Sequence, residues 1–142
     1  MTAELIPLAP GLSVAGQLDR ADIDALARKG VRTIINNRPD DEDAGQLPAA
    51  KAQKLAEAQG IAYHHIPITA ASLSRADVDA FAAALDASPL PVVAHCRSGA
   101  RSTLLWALTR LHAGAEPQAL IAEAARHGID IAALPAVAAR LR

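Results

Sequence analysis

The chain is poor in several things, and each scarcity excludes something. One cysteine stands among 142 residues, so no disulfide can close within the chain and no second thiol is present for a dithiol redox couple. An unpaired thiol suits a reducing compartment. The N-terminal run Met1-Thr2-Ala3-Glu4-Leu5-Ile6-Pro7 has no basic region and no long apolar stretch, so a cytoplasmic location is expected. No segment approaches the length of a membrane-spanning helix, which argues against a membrane partner. Aromatic residues make up 2% of the chain, too few to build a base-stacking platform. The net charge is -1 with Lys and Arg scattered, so no basic face invites nucleic acid. What is plentiful is hydrophobic residue, 51% against 20% charged. That is the balance of a folded chain, and the length suits one domain over 1–142.

Short apolar runs alternate with helical periodicity. Leu12-Ser13-Val14-Ala15 is a strand candidate closed by Gly16. Asp19 is placed to cap a helix running to Lys29, with Ile23, Leu26 and Ala27 on its apolar face and Gly30 as its stop. Residues 31–36 are β-branched and read as a strand. An Asp- and Pro-rich loop follows from Asn37 to Leu47, then a helix over 48–59 with Pro48 in its first turn. Ile61 to Ile66 is the next strand. Ser74 and Asp77 have capping-box spacing, and Val78, Phe81, Ala82 and Leu85 repeat at helical intervals behind them. Ser88-Pro89-Leu90-Pro91 breaks that helix, and Val92-Val93-Ala94-His95 reads as a buried central strand. Leu104, Leu105, Leu108 and Leu111 mark a helix ending near Gly114. Pro117 opens another, closed by Gly128, and a short last helix begins near Pro135. Such alternation predicts an α/β fold with a mainly parallel sheet and helices on both faces. Right-handed crossovers bring the loop after Cys96, the 37–47 loop and the 67–73 loop to one sheet edge, where ligands of such folds bind.

The candidate site is the segment His95-Cys96-Arg97-Ser98-Gly99-Ala100-Arg101-Ser102. Cys96 follows a buried strand and precedes a helix. A helix N-terminus offers partial positive charge and unpaired N–H groups, and both favour a thiolate. Arg97 and Arg101 add positive charge. Gly99 lets the backbone curl so that several N–H groups of the loop converge on one point. An inert buried cysteine is the plain alternative. Packing alone does not call for a Gly three residues on, an Arg five on and a Ser after it. Two roles are open to Arg101: orienting an anion, or turning inward as a structural partner of the loop.

Val92 to Cys96, with a Gly and an Arg-Ser behind it, resembles the protein tyrosine phosphatases, especially the small dual-specificity kind. Val14-Ala15-Gly16-Gln17, residues 31–36 and Tyr63-His64-His65-Ile66-Pro67-Ile68 are similar to the same fold. The loop Cys96-Arg97-Ser98-Gly99-Ala100-Arg101-Ser102 resembles a rhodanese loop. The combination resembles the phosphatase-like domain named after β-lactamase hydrolase-like proteins. Members of that family are described as sulfurtransferases or phosphatases, and some are fused to a metallo-hydrolase domain of the persulfide dioxygenase type.

Two departures from the phosphatase pattern bear on the chemistry. Phosphatases of this fold place five residues between Cys and Arg, whereas four lie between Cys96 and Arg101, so strict alignment puts Ser102 at the arginine position. They also place an acid shortly after the Ile-Pro of the preceding strand. Here Ile66-Pro67-Ile68-Thr69-Ala70-Ala71-Ser72 holds no carboxylate, and general acid catalysis contributes ~10²–10⁴-fold. Sulfite or a thiolate leaves without that help. The expected function is therefore a rhodanese-like sulfurtransferase. Cys96 would take sulfane sulfur from a small anionic donor, thiosulfate or a persulfide, and pass it to a thiol acceptor. Arg101 and Arg97 would orient the donor, with Ser98, Gly99, Ala100 and Ser102 completing the cradle. The alternatives are a phosphatase cleaving a phosphoester and a non-catalytic anion-binding module. No cofactor is called for.

His95 would hydrogen bond to hold the loop. No histidine spacing matches a zinc site, and His64 and His65, adjacent on a strand, point to opposite faces. Asp40, Asp41, Glu42 and Asp43 read as a solvated acidic turn that holds the fallback acids for a phosphatase. Asn37 and Arg38 follow a strand whose end faces the site. Trp106 reads as core.

Overall fold

Alternating side chains along four parallel strands divide the interior in two, and that division positions the site. The computed structural model describes residues 3–141. Strands β2 (Leu12–Ala15), β3 (Thr33–Asn36), β4 (Ala62–His65) and β5 (Val92–His95) run parallel, and β1 (Ile6–Ala9) pairs antiparallel with β2. The order across the sheet is β1-β2-β5-β3-β4. On one face Val14, Ile35, Val92 and Ala94 are buried against α3 (Arg75–Ala87), α4 (Ala100–His112), α5 (Pro117–Arg126) and α6 (Leu134–Arg140). On the other, Ala15, Ile34, Tyr63 and Val93 meet α1 (Arg20–Arg28) and α2 (Ala49–Glu57). The period of two in a strand sends neighbours to opposite faces, so β3 and β5, covered on both, are buried at every position.

Helix starts follow the capping chemistry read from the sequence. Asp19 and Asp22 form a reciprocal capping box on α1, and Ser74 and Asp77 form one on α3. Such caps contribute about 1 kcal/mol each. Trp106 is 6% exposed and belongs to the core, together with Phe81, Leu105 and Leu108.

One strand escaped the sequence reading, which has none before Leu12. β1 is four residues long and contains Pro7, with Pro10 just beyond its end. Proline cannot donate to a ladder, and it is tolerated here because β1 is an edge strand and the register shifts between Pro7 and Ala9. Gly11, at φ 78, makes the turn into β2.

The register sets Ala15, His95 and Asn36 side by side at the carboxyl ends of β2, β5 and β3, with His65 beyond on β4. The loops that leave this row are 16–19, 96–99, 37–48 and 66–74, so all four start from one sheet edge, as the crossover rule requires. No helix among the described residues is long and apolar enough to cross a membrane.

Candidate active site

Cys96 is the first residue beyond β5, and it is only 1% exposed. Its backbone is pinned to the neighbouring loop: Cys96 N–H donates to Ala15 O at 3.3 Å, and Gln17 N–H donates to Arg97 O at 3.2 Å. This close approach needs Gly16, since a Cβ there would stand 3.0 Å from Arg97 O. Gly99 then takes φ 96, a left-handed conformation that side chains resist, and so turns its N–H back onto the sulfur, donating to Cys96 Sγ at 3.0 Å. Thr103 locks the turn by donating from its N–H and its hydroxyl to Gly99 O, at 3.0 and 2.8 Å. The loop ends at the N-terminus of α4, whose first-turn amides have no carbonyl within the helix to bond. One loop amide, that of Gly99, thus reaches the sulfur.

Arg101 stands in the first turn of α4, and the structure answers which way it turns. Its Nη1 and Nη2 donate to the two carboxylate oxygens of Glu42 at 2.8 and 2.7 Å, and Nη1 also donates to Ile68 O at 2.9 Å. A guanidinium has five N–H donors in a rigid fork. Three are committed to these acceptors, which leaves Nε–H and one Nη2–H on the adjacent edge. The Cys96 sulfur also lies against this guanidinium and, after the larger effect of Glu42, helps hold its pKa up. Arg101 is therefore anchored by Glu42 and Ile68 O, the structural role left open by the sequence, and two of its five donors stay outside that anchor.

The anchor is the residue that sequence reasoning missed. The acidic segment is exposed, as a solvated turn should be, and it is also folded onto the arginines. Gln46 Oε1 accepts from the N–H groups of Glu42 and Asp43, and Gln46 Nε2 donates to Pro39 O. Glu42 then receives Arg38 Nε at 2.9 Å besides Arg101. Asp43 receives Arg38 Nη2 at 2.7 Å and Arg97 Nε at 3.3 Å. The Arg38 side chain is 3% exposed, and its Nη1 donates to Gln17 Oε1 at 3.0 Å. A buried charge without its partner costs about 3–5 kcal/mol, so Arg38 holds the acidic loop in place as firmly as the loop holds Arg38. The hydrogen bond from Arg101 draws the Glu42 carboxyl down to about 2, with Arg38 adding to it against the opposing effect of burial. Asp40 is spent otherwise, accepting from Ala49 N–H at 2.9 Å at the start of α2. An Arg at the end of a buried strand with acids four and five residues on was the available signal.

The other predicted site residues fall into place less uniformly. Arg97 and Ser98 are exposed at the loop tip, and Ala100 is half-buried where α4 begins. Ser102, expected to line the anion site, is wholly buried, and its hydroxyl donates to Asn37 Oδ1 at 2.8 Å. The correction has a simple cause. Successive helical residues are rotated by about 100°, so when Arg101 reaches the loop edge its neighbour turns toward the 37–48 loop. Ser102 ties that loop to α4.

His95 is buried, with Nδ1 3.4 Å from Cys96 O. Burial pushes its pKa down to about 4 from an ordinary 6.5, with Arg38 and His65 adding to the drop, so the ring is neutral at physiological pH. The unfolded chain binds this proton near 6.5 and the folded one only near 4, so stability present above 6.5 is lost as pH falls through that window. The melting temperature of the wild type minus that of His95→Gln is expected to shrink between pH 7 and pH 4. A pH-independent difference would mean that His95 is not buried neutral. No group of three or more His, Cys, Asp or Glu side chains able to hold a metal ion occurs among the described residues.

A parallel sheet ending in a buried cysteine, a left-handed glycine three residues on and an arginine at the next helix start defines the class of phosphatase-like cysteine-loop domains. Residues 4–115 match the family model "Beta-lactamase hydrolase-like protein, phosphatase-like domain", and the chain belongs to that family. It is 34% identical over 123 residues to the beta-lactamase hydrolase-like protein of Agrobacterium fabrum, covering 86% of this chain and 28% of that protein. The chain thus spans about a quarter of the length of the curated relatives it matches. The crystal structure of a candidate phosphatase from Neisseria meningitidis is 34% identical and covers 89% of each chain, with a TM-score of 0.81. A P. aeruginosa protein crystallised with pTyr, TpbA, shares the fold at 22% identity and a TM-score of 0.62, over 84% of this chain and 70% of that one.

Proposed function

We propose that this domain is a cysteine-dependent phosphoric monoester hydrolase that works through a Cys96 phosphoenzyme on substrates whose leaving group departs without a proton. The observation that carries the reading is the Arg101 guanidinium, anchored by Glu42 and lying against a sulfur already held by Gly99 N–H. Membership of a phosphatase-like family points the same way. The Cys96 thiolate attacks phosphorus, the S–P bond forms and the ester P–O bond breaks with its electron pair leaving on oxygen. Water then attacks phosphorus, the S–P bond breaks, and thiolate and inorganic phosphate are released. Arg101 clamps two phosphoryl oxygens through both steps, and the amides of Arg97, Ser98, Gly99 and Ala100 take the remaining charge. Preorganised donors of this kind supply most of the catalysis in phosphoryl transfer. His95 steadies the loop through Cys96 O and stays neutral. No cofactor enters the scheme.

The restriction on leaving group follows from the 67–73 loop. No carboxylate stands between Pro67 and Leu73, and the hydroxyls of Thr69 and Ser72 are bonded to each other at 3.0 Å. Aryl and acyl phosphates leave unprotonated; simple alkyl phosphates do not.

Sulfur transfer is the second reading, and the same missing acid favours it, together with the four-residue spacing. There the thiolate attacks the outer sulfur of thiosulfate, a new S–S bond forms, sulfite leaves, and a thiol or cyanide removes the sulfane sulfur. The deciding experiment incubates the protein separately with p-nitrophenyl phosphate and with thiosulfate, then cyanide. Nitrophenolate release without a stable mass increase after thiosulfate is expected. A cyanide-labile adduct one sulfur atom heavier, with no phosphate release, would overturn the phosphatase reading.

A further inference from the structure

Asn37, the first residue beyond β3, is wholly buried, and each of its four polar groups is hydrogen-bonded. Its N–H donates to His95 O at 2.7 Å, and its carbonyl accepts from Ile68 N–H at 3.0 Å. Its side chain donates through Nδ2 to Ile66 O at 3.0 Å and accepts through Oδ1 from the Ser102 hydroxyl at 2.8 Å. Three of these partners adjoin the reacting groups. His95 precedes Cys96 in the chain, Ser102 follows Arg101, and Ile68 O is itself an acceptor for Arg101 Nη1, at 2.9 Å. One residue thus ties the strand end before the nucleophile, the helix turn that carries the arginine and the arginine's backbone acceptor to a common point.

The tie matters because the loop is short. Four residues separate Cys96 from Arg101, and α4 begins at Ala100, so Arg101 is the second residue of the helix. Where its side chain points depends on how that first turn is rotated, at about 100° per residue. Glu42 holds the guanidinium from outside. Ser102, wholly buried, holds the same turn from inside, and its hydroxyl is spent on Asn37. A rotation that carried Arg101 away from the sulfur would leave that hydroxyl and Asn37 Oδ1 buried without partners, which costs more than the bond itself contributes.

We infer that Asn37 is a positioning residue, which holds Cys96 and Arg101 at the separation that one phosphoryl group spans, through His95 on one side and Ser102 on the other. The inference rests on the phosphatase reading above and deepens it. Being wholly buried, Asn37 touches no substrate and acts only through these neighbours.

Asn37→Ala and Ser102→Ala test this, each alone and each combined with Arg101→Ala. Both remove the tie between Oδ1 and the hydroxyl and keep the peptide groups of residue 37. For every variant kcat/KM with p-nitrophenyl phosphate, calorimetric affinity for inorganic phosphate and the melting temperature are measured. Each substitution is expected to lower kcat/KM by about 10- to 100-fold where Arg101 is present, and by no more than about twofold where it is alanine. Phosphate affinity should fall in the first background only, whereas the melting temperature should fall equally in both. Ser102→Ala deletes a single hydroxyl, so it carries the test if Asn37→Ala does not fold. Unchanged kcat/KM and phosphate affinity beside a lowered melting temperature, or equal kinetic losses in the two backgrounds, would make Asn37 structural alone and overturn the inference. A wild type that neither binds phosphate nor releases nitrophenolate overturns the phosphatase reading itself, and the inference with it.

Discussion

Replacing Cys96 by serine is expected to lower kcat/KM for an aryl phosphate by on the order of 10⁴-fold, with no phosphoenzyme trapped on acid quench. A hydroxyl at this position keeps the shape of the cradle, and Gly99 N–H has an acceptor in either case. What is lost is the sulfur nucleophile, and no base is placed to take a serine proton. The nearest imidazole, His95, faces the backbone carbonyl of Cys96. Steady-state kinetics beside a melting curve separates lost chemistry from lost fold. Activity within about tenfold of wild type would show that the sulfur is not the nucleophile, and the anion cradle would then serve binding alone.

Arg101→Ala is expected to cost about 10²–10³-fold in kcat/KM, the usual loss when one preorganised donor to a developing charge is removed. Arg101→Lys should recover little of it. An ammonium is a point charge and cannot hold Glu42 with one edge and the substrate with another. Glu42 acts through Arg101, so Glu42→Gln should cost about tenfold in wild type, as a charge-assisted pair becomes a neutral one. In an Arg101→Ala background it should cost little more, and this non-additivity distinguishes a positioning carboxylate from one acting on substrate directly. Equal losses in both backgrounds would place Glu42 on the substrate instead. The Glu42 carboxyl titrates near 2, so the anchor stays ionised throughout the range in which the enzyme can be assayed.

Much of the fold was legible because it is local physics. The helices capped by Asp19 and Ser74, the buried run Val92–His95 and the left-handed turn at Gly99 each depend on residues within a few positions of one another. The common edge of the loops followed from strand–helix alternation alone. The sequence also placed Cys96 at the carboxyl end of a central strand, and the structure has it there. β1 was not legible, because Pro7 argues against a strand unless the strand lies at an edge, and edges are assigned by the whole sheet.

Tertiary structure alone decided how the charges around the sulfur are used. Glu42 and Arg101 are 59 positions apart, and Ser102 and Asn37 are 65 apart, yet each pair is in hydrogen-bond contact. From the sequence, four acids in a row are a solvated turn, and an arginine after a cysteine is either a clamp or a strut. Only the parallel register that sets Asn36 beside His95 brings the two loops together. Closing a loop of that length is unfavourable in the isolated chain and is sustained by burial of the sheet between its two layers of helices. The place of Cys96 was thus written locally; the anchoring of its arginine exists only once the sheet has formed.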